Sequence, residues 1–229
     1  MTDIITVDNL SKSYGNSVVF KNLSFSLPRS RVIGLLGENG IGKTTLLRLM
    51  AALSVPDCGE IRVDGQKVSR ETKNKVSFLL EPENLYQFMC VEDAVQYYKD
   101  FFRDFNYEKA MGLCEEYKLQ LKRPIKYFSK GNKERVCLLL CLSRNAPIYL
   151  LDEPFAGIDP KFKRDLIKTI LANINENATM IIASHLLRDV GSIFDDVVIL
   201  KKREVITATA DDIRAQGKSV EDYYMETVE

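Results

Sequence analysis

The chain has 229 residues, 45% of them hydrophobic, and 32 basic against 32 acidic side chains, so its formal net charge is zero. That hydrophobic share supports a packed core and excludes wholesale disorder. The balanced charge argues against a dominant nucleic-acid-binding surface while leaving room for a local basic patch, and the length suits one large domain or two small ones.

The opening stretch MTDIITVDNL has no basic run and no long apolar segment, so no signal peptide is expected. DIITVDNL and VVFKNLSFSL carry β-branched and alternating apolar residues, which predict strands. GEIRVDG predicts a short strand closed by Asp64-Gly65. Between them, RVIGLL is continuously apolar, the pattern of a strand buried on both faces of a parallel sheet. It runs into GENGIGKTT, Gly37 to Thr45, after which Leu46, Leu49, Met50 and Leu53 fall on one helical face.

From about Glu83 to Phe128 the periodicity becomes helical. Val91, Ala94, Val95, Tyr98, Phe101 and Phe102 form one apolar stripe. Asn106 suits the N-cap of a second helix carrying Met111, Cys114 and Tyr117. Sheet pattern then resumes in IYLLDEP, TMIIASH and DVVILKK. Asp159-Pro160 suits a helix start, with Leu166, Ile167, Ile170 and Leu171 on its buried face. The longest apolar runs, VCLLLCL and VVIL, fall well short of the ~20 residues that cross a bilayer. Alternating strands and helices predict an α/β fold with a mostly parallel sheet, whose ligands bind beyond the carboxyl ends of the strands. Gly37, Asp152 and His185 all stand at such ends.

The five cysteines are Cys58, Cys90, Cys114, Cys137 and Cys141, an odd number without a C-x-x-C pair. This usage suits free thiols in a reducing compartment. Cys137 and Cys141 could both face one ligand on a helix, but His185 is the sole histidine, and buried core thiols are the favoured reading.

Three segments carry chemistry. GENGIGKTT contains G-x-x-x-x-G-K-T between a buried strand and a helix. Its glycines let successive N–H groups converge on one anion, and the helix dipole adds attraction. Lys43 supplies a charge to the β- and γ-phosphates, and Thr44 a hydroxyl to Mg²⁺. In IYLLDEP, Asp152 is the candidate on the metal side, and Glu153 is the candidate base for an attacking water. The third segment is FSKGNKER, which opens the helical run VCLLLCLSR.

With that third segment the chain resembles the nucleotide-binding domain of ABC ATPases, over nearly its whole length from about Ile4. Phe128-Ser129-Lys130-Gly131-Asn132 stands where the family carries its L-S-G-G-Q signature. The resemblance implies a P-loop NTPase core with a mostly parallel sheet, an N-terminal antiparallel β subdomain and an inserted helical subdomain. Residues 1–229 would form a single domain, with the helical subdomain over about 83–135. It implies that ATP is held by Gly37, Glu38, Asn39, Gly40, Ile41, Gly42, Lys43, Thr44 and Thr45, with Tyr14 stacked on adenine. Taken alone, Tyr14 reads as a packing tyrosine. Ser129, Lys130, Gly131 and Asn132 would reach the γ-phosphate bound by another protomer. Asp159 matches the D-loop acid and His185 the switch histidine, so Lys43, Glu153 and His185 are the implied catalytic group. Glu81 stands where the family usually has glutamine; with Thr44 and Asp152 it is a candidate Mg²⁺ ligand.

The same resemblance implies a homodimer or heterodimer closing around two ATP molecules. It also implies separate transmembrane permease subunits, and so a place on the cytoplasmic face of the membrane. No nucleic acid is expected as a partner. Glu81-Pro82 and Ser129-Lys130-Gly131 resemble export-type members. Leu85, Tyr86 and Phe88 either dock the membrane partner or pack the helical subdomain. The alternative function is a soluble ABC-type ATPase acting on a non-membrane partner. One nucleotide domain per chain disfavours a translation factor, and the lack of a long coiled coil before Ser129 disfavours a DNA-repair ATPase. A kinase would have no use for the signature loop. The C-terminal SVEDYYMETVE suits the family's short terminal helix.

Overall fold

The structure, a computed structural model, describes residues 3–79, 81–155, 160–185, 187–202 and 204–228. The elements open with β1 (Ile5–Tyr14), β2 (Ser17–Leu27), β3 (Val32–Leu36), α1 (Lys43–Met50), β4 (Cys58–Val63), β5 (Gln66–Lys67) and β6 (Val76–Phe78). Next come α2 (Val91–Phe101), α3 (Tyr107–Glu116), α4 (Lys130–Leu142), β7 (Ile148–Asp152) and α5 (Pro160–Ala172). The chain finishes through β8 (Thr179–Ala183), α6 (Leu187–Val190), β9 (Asp196–Leu200), β10 (Val205–Thr209), α7 (Ala210–Ala215) and α8 (Val220–Val228). It divides into two compact units, Met1–Val76 with Pro147–Gly157 and Glu176–Glu229, and Ser77–Ala146 with Ile158–Asn175.

The first unit carries two kinds of sheet. One is antiparallel, in the order β2-β1-β4-β5, with Ile5 opposite Leu27 on one side and Val63 on the other. Asp64 and Gly65 both take positive φ, 50° and 73°, as a tight two-residue hairpin between β4 and β5 requires. The other sheet runs β10-β9-β3-β8-β7 within this unit. Here β3 pairs in parallel with β8 and β9, β7 pairs in parallel with β8, and β10 is an antiparallel edge. Ile33–Leu36, Ile148–Leu151, Thr179–Ala183 and Val197–Leu200 are all buried. Their continuous apolar runs follow from a sheet covered on both faces, and each large side chain so buried contributes about 1.5–3 kcal/mol. The separate antiparallel sheet and the mostly parallel one match the architecture expected from the sequence. The terminal helix is also present, as α8.

The expected stripe of α1 fails at its last position. The helix stops at Met50, Ala52 turns to φ 57°, and Leu53 is left 51% exposed.

The second unit is helical. Val91, Ala94 and Val95 of α2 are buried as expected, but Phe101 is 66% exposed. The helix ends there, so the stripe no longer faces the core, and Phe101 stacks on Tyr97 with ring centres 5.7 Å apart. Asn106 does cap α3, its Oδ1 accepting the Lys109 N–H at 2.9 Å. α4 is buried at every position from Val136 to Leu142, the pattern of a central helix. Burial pushes the Cys137 thiol up to about 12 and the Cys141 thiol up to about 11, which makes both inert core side chains. The Ser77 hydroxyl donates to the Cys141 carbonyl at 2.7 Å. Arg144 is buried against Asp104, Nη2 to Oδ2 at 3.0 Å, with its guanidinium 3.9 Å from the Phe102 ring centre. In α5, Leu166 and Ile170 are buried but Leu171 is 42% exposed, so the apolar face is narrower than its spacing suggests.

Candidate nucleotide site

The phosphate loop leaves β3 at Gly37 and enters α1 at Lys43. Gly37, Gly40 and Gly42 take φ of 152°, 80° and 115°. Two of them are also fixed by space. A Cβ on Gly37 would stand 2.9 Å from the Leu200 carbonyl oxygen, and one on Gly42 would stand 2.6 Å from Val19. Gly42 offers no side-chain cap and the first turn of α1 holds no acid. The first N–H groups of the helix therefore need an anion or water.

Lys43 is folded back over the loop that precedes it. Its Nζ donates to the Gly37 carbonyl at 2.7 Å and to the Glu38 carbonyl at 3.3 Å, and only 7% of its surface is exposed. The same Nζ lies 3.9 Å from Glu153 Oε1. Nearby, Glu153 Oε2 lies 2.9 Å from His185 Nδ1.

Strand register brings these groups together. Asp152 pairs with Ala183, so the end of β7 lies beside the end of β8, two residues before His185. The Glu153 N–H donates to the Ala183 carbonyl at 2.9 Å, and Glu153 takes φ 45°. A left-handed residue other than glycine costs roughly 1–2 kcal/mol. With the backbone in this left-handed turn, the Glu153 carboxylate lies beside both Lys43 and His185. Asp152 and Thr44 are half-buried in the same unit.

Tyr14 ends β1 with 51% of its surface exposed, and Lys12 Nζ stands 5.2 Å from its ring centre. Sequence reading missed Lys12. The signal was its position two residues before Tyr14 in a strand, which puts both side chains on one face. Asp57 holds Lys12 there at 3.0 Å.

The remaining candidates fall in the second unit. Ser129 is the N-cap of α4 and accepts the Asn132 N–H at 3.4 Å. Asn132 Oδ1 accepts from Arg135 at 3.1 Å. Lys130 and Gly131 are exposed. Glu81 is exposed and extended ahead of Pro82. Leu85 is buried, whereas Tyr86 and Phe88 are 52% and 75% exposed with ring centres 5.8 Å apart. Asp159 and the rest of the expected D-loop, residues 156–158, lie outside the described residues.

Residues 20–156 match the family model described as ABC transporter. A lantibiotic transport ATP-binding protein of Streptococcus pyogenes is 29% identical over 216 residues, covering 87% of this chain and 90% of the relative. An uncharacterized ABC transporter ATP-binding protein of Methanocaldococcus jannaschii is 31% identical over 210 residues, covering 88% of this chain and 76% of the relative. A solved ATP-binding subunit of an ABC transporter superposes with a TM-score of 0.86 at 26% identity, over 97% of this chain and 98% of that one. The matched span takes in the phosphate loop, the acidic strand end and the Ser129 helix start. The chain belongs to the ABC transporter family and is one of its ATP-binding, ATP-hydrolysing subunits.

Proposed function

We propose that two nucleotide-binding subunits, of which this chain is one, close around two ATP molecules and drive export through separate transmembrane permease subunits. The observation that carries the hydrolytic part is the position of Glu153, between the Lys43 ammonium and the His185 ring. Lys43 exchanges its contacts with Gly37, Glu38 and Glu153 for the β- and γ-phosphates, while the first N–H groups of α1 hold the same anion. Tyr14 stacks on adenine. Released from Lys43, Glu153 takes a proton from the attacking water, and His185 orients Glu153 and the γ-phosphate.

The Thr44 hydroxyl and the Asp152 carboxylate are hard oxygen donors in one unit, a set that fits Mg²⁺, and Glu81 is the third candidate. When bound, Mg²⁺ neutralises charge on the phosphate oxygens. Ser129, Lys130, Gly131 and Asn132 read the γ-phosphate presented by the other subunit, and Asp159 is the D-loop acid. The exposed Tyr86 and Phe88 suit a docking patch for a permease helix.

Export rests on Glu81-Pro82, on Ser129-Lys130-Gly131 and on the lantibiotic transport relative. No helix among the described residues is long and apolar enough to cross a membrane; the separate permease subunit and the place at the cytoplasmic face rest on the family to which the chain belongs. Tagging the chain, solubilising its membranes gently and identifying what co-purifies tests the reading. A multi-span membrane protein is the expected result; a ribosome or DNA would instead support a soluble ATPase.

A further inference from the structure

Tyr14 is half-exposed at the end of β1, and a charged neighbour covers its ring. Lys12 Nζ lies over the ring, 5.2 Å from its centre. The ammonium also donates to Asp57 Oδ1 at 3.0 Å, and only 13% of the Lys12 side chain is exposed. Asp57 is in turn laced to β1 just ahead of Tyr14. Its Oδ2 accepts the Ser13 N–H at 2.6 Å, and its own N–H donates to the Ser11 carbonyl at 2.9 Å. The hydrogen bonds from Lys12 and Ser13 hold the Asp57 carboxyl below its ordinary value, so the anchor of Lys12 stays charged.

The same hairpin borders the phosphate loop. Lys12 pairs with Phe20 across β1 and β2, and a Cβ on Gly42 would stand 2.7 Å from the Phe20 ring and 2.6 Å from Val19. The strand opposite Lys12 thus packs on the last glycine of the loop, which puts the Tyr14 end of the hairpin beside the nucleotide site. A cation over one face of an aromatic ring is attracted by its π electrons and restrains the ring. It also draws electron density toward that face, which favours an electron-rich base on the other. With its ammonium engaged by Asp57 and its stem covered, Lys12 is set to act on the ring rather than on a phosphate. We propose that Lys12, fixed by Asp57, is a positioning residue for the base of the nucleotide: it holds the Tyr14 ring by one face, leaves the other to adenine, and so raises ATP affinity through the base alone. The inference rests on the reading that Tyr14 stacks on adenine.

The test measures equilibrium binding of ATP to the full chain by calorimetry, with inorganic tripolyphosphate as a probe that has phosphates but no base. Lys12→Met keeps the apolar stem and removes the charge. It should weaken ATP binding about two- to fivefold, the worth of an exposed cation–π contact, and leave tripolyphosphate binding unchanged. Lys12→Arg should restore ATP binding. In a Tyr14→Ala background, Lys12→Met should cost nothing further. Equal loss of ATP and tripolyphosphate in Lys12→Met would overturn the inference, because it would mean a phosphate contact or a disturbed fold. An undiminished effect of Lys12→Met without the Tyr14 ring would overturn it too. If Tyr14→Ala weakens ATP binding and Lys12→Met does not, this inference alone falls. If Tyr14→Ala binds ATP as the parent does, the stacking reading falls and takes the inference with it.

Discussion

The carboxylate of Glu153 is shared between two basic groups, His185 Nδ1 at 2.9 Å from Oε2 and Lys43 Nζ at 3.9 Å from Oε1. One side chain thus joins the phosphate loop, the end of β7 and the end of β8. In the function proposed above, nucleotide would compete with Glu153 for Lys43, so that filling the site and freeing Glu153 would be one event.

Replacing Glu153 by glutamine should keep ATP binding, trap the closed pair and lower turnover about 10²–10⁴-fold, the usual worth of a general base. Phosphate release and nucleotide-binding assays on the same preparation check this. Normal hydrolysis would remove the base assignment.

His185→Ala should leave ATP binding intact and reduce turnover about a hundredfold or more. The ring is half-exposed, so its loss should barely move the melting temperature. Unchanged activity would leave the Glu153 contact as a resting-state feature only.

Tyr86→Ala should leave the ATPase activity of the isolated subunit intact and weaken transport in the assembled system, because Tyr86 is exposed while the neighbouring Leu85 is buried. Equal loss of both activities would mean that Tyr86 packs the helical unit.

A pH dependence follows from Asp64. Lys75, with Nζ at 2.6 Å, and Arg29 hold its carboxyl below the ordinary value of 3.8. A depressed folded-state pKa adds stability above the unfolded value, and that stability is lost as pH falls through the folded one. Asp64→Asn keeps a residue that tolerates the left-handed φ of 50°. At pH 7 it should destabilise by at most about 1 kcal/mol, since the group is partly screened. The gap should close as pH drops below about 4. Thermal melts of both proteins across this range check it; a gap constant down to pH 2 would exclude the ion pairs as its cause.

Much of the fold was legible because local chemistry and tertiary environment agree. RVIGLL, IYLLDEP and TMIIASH are apolar without alternation, and they become strands covered on both faces. Asn106 caps α3 by a contact within three residues, which spacing alone exposes. The failures have one cause. Leu53, Phe101 and Leu171 sit at the ends of apolar stripes, and a stripe does not show where its helix will stop or leave its neighbours.

The sequence by itself determined that glycines and a lysine lie between a buried strand and a helix, that acids end one strand and that a histidine ends another. Those relations are local, set by φ, by side-chain period and by hydrogen bonds a few residues long. Only the tertiary structure decided that Glu153 meets His185 across 32 residues and that Lys43 rests on its own loop. The Glu153 contact depends on the register of Asp152 with Ala183 and on a left-handed turn at Glu153. Strand pairing over such distances is settled by packing of the whole sheet, and no residue pattern within either strand encodes it.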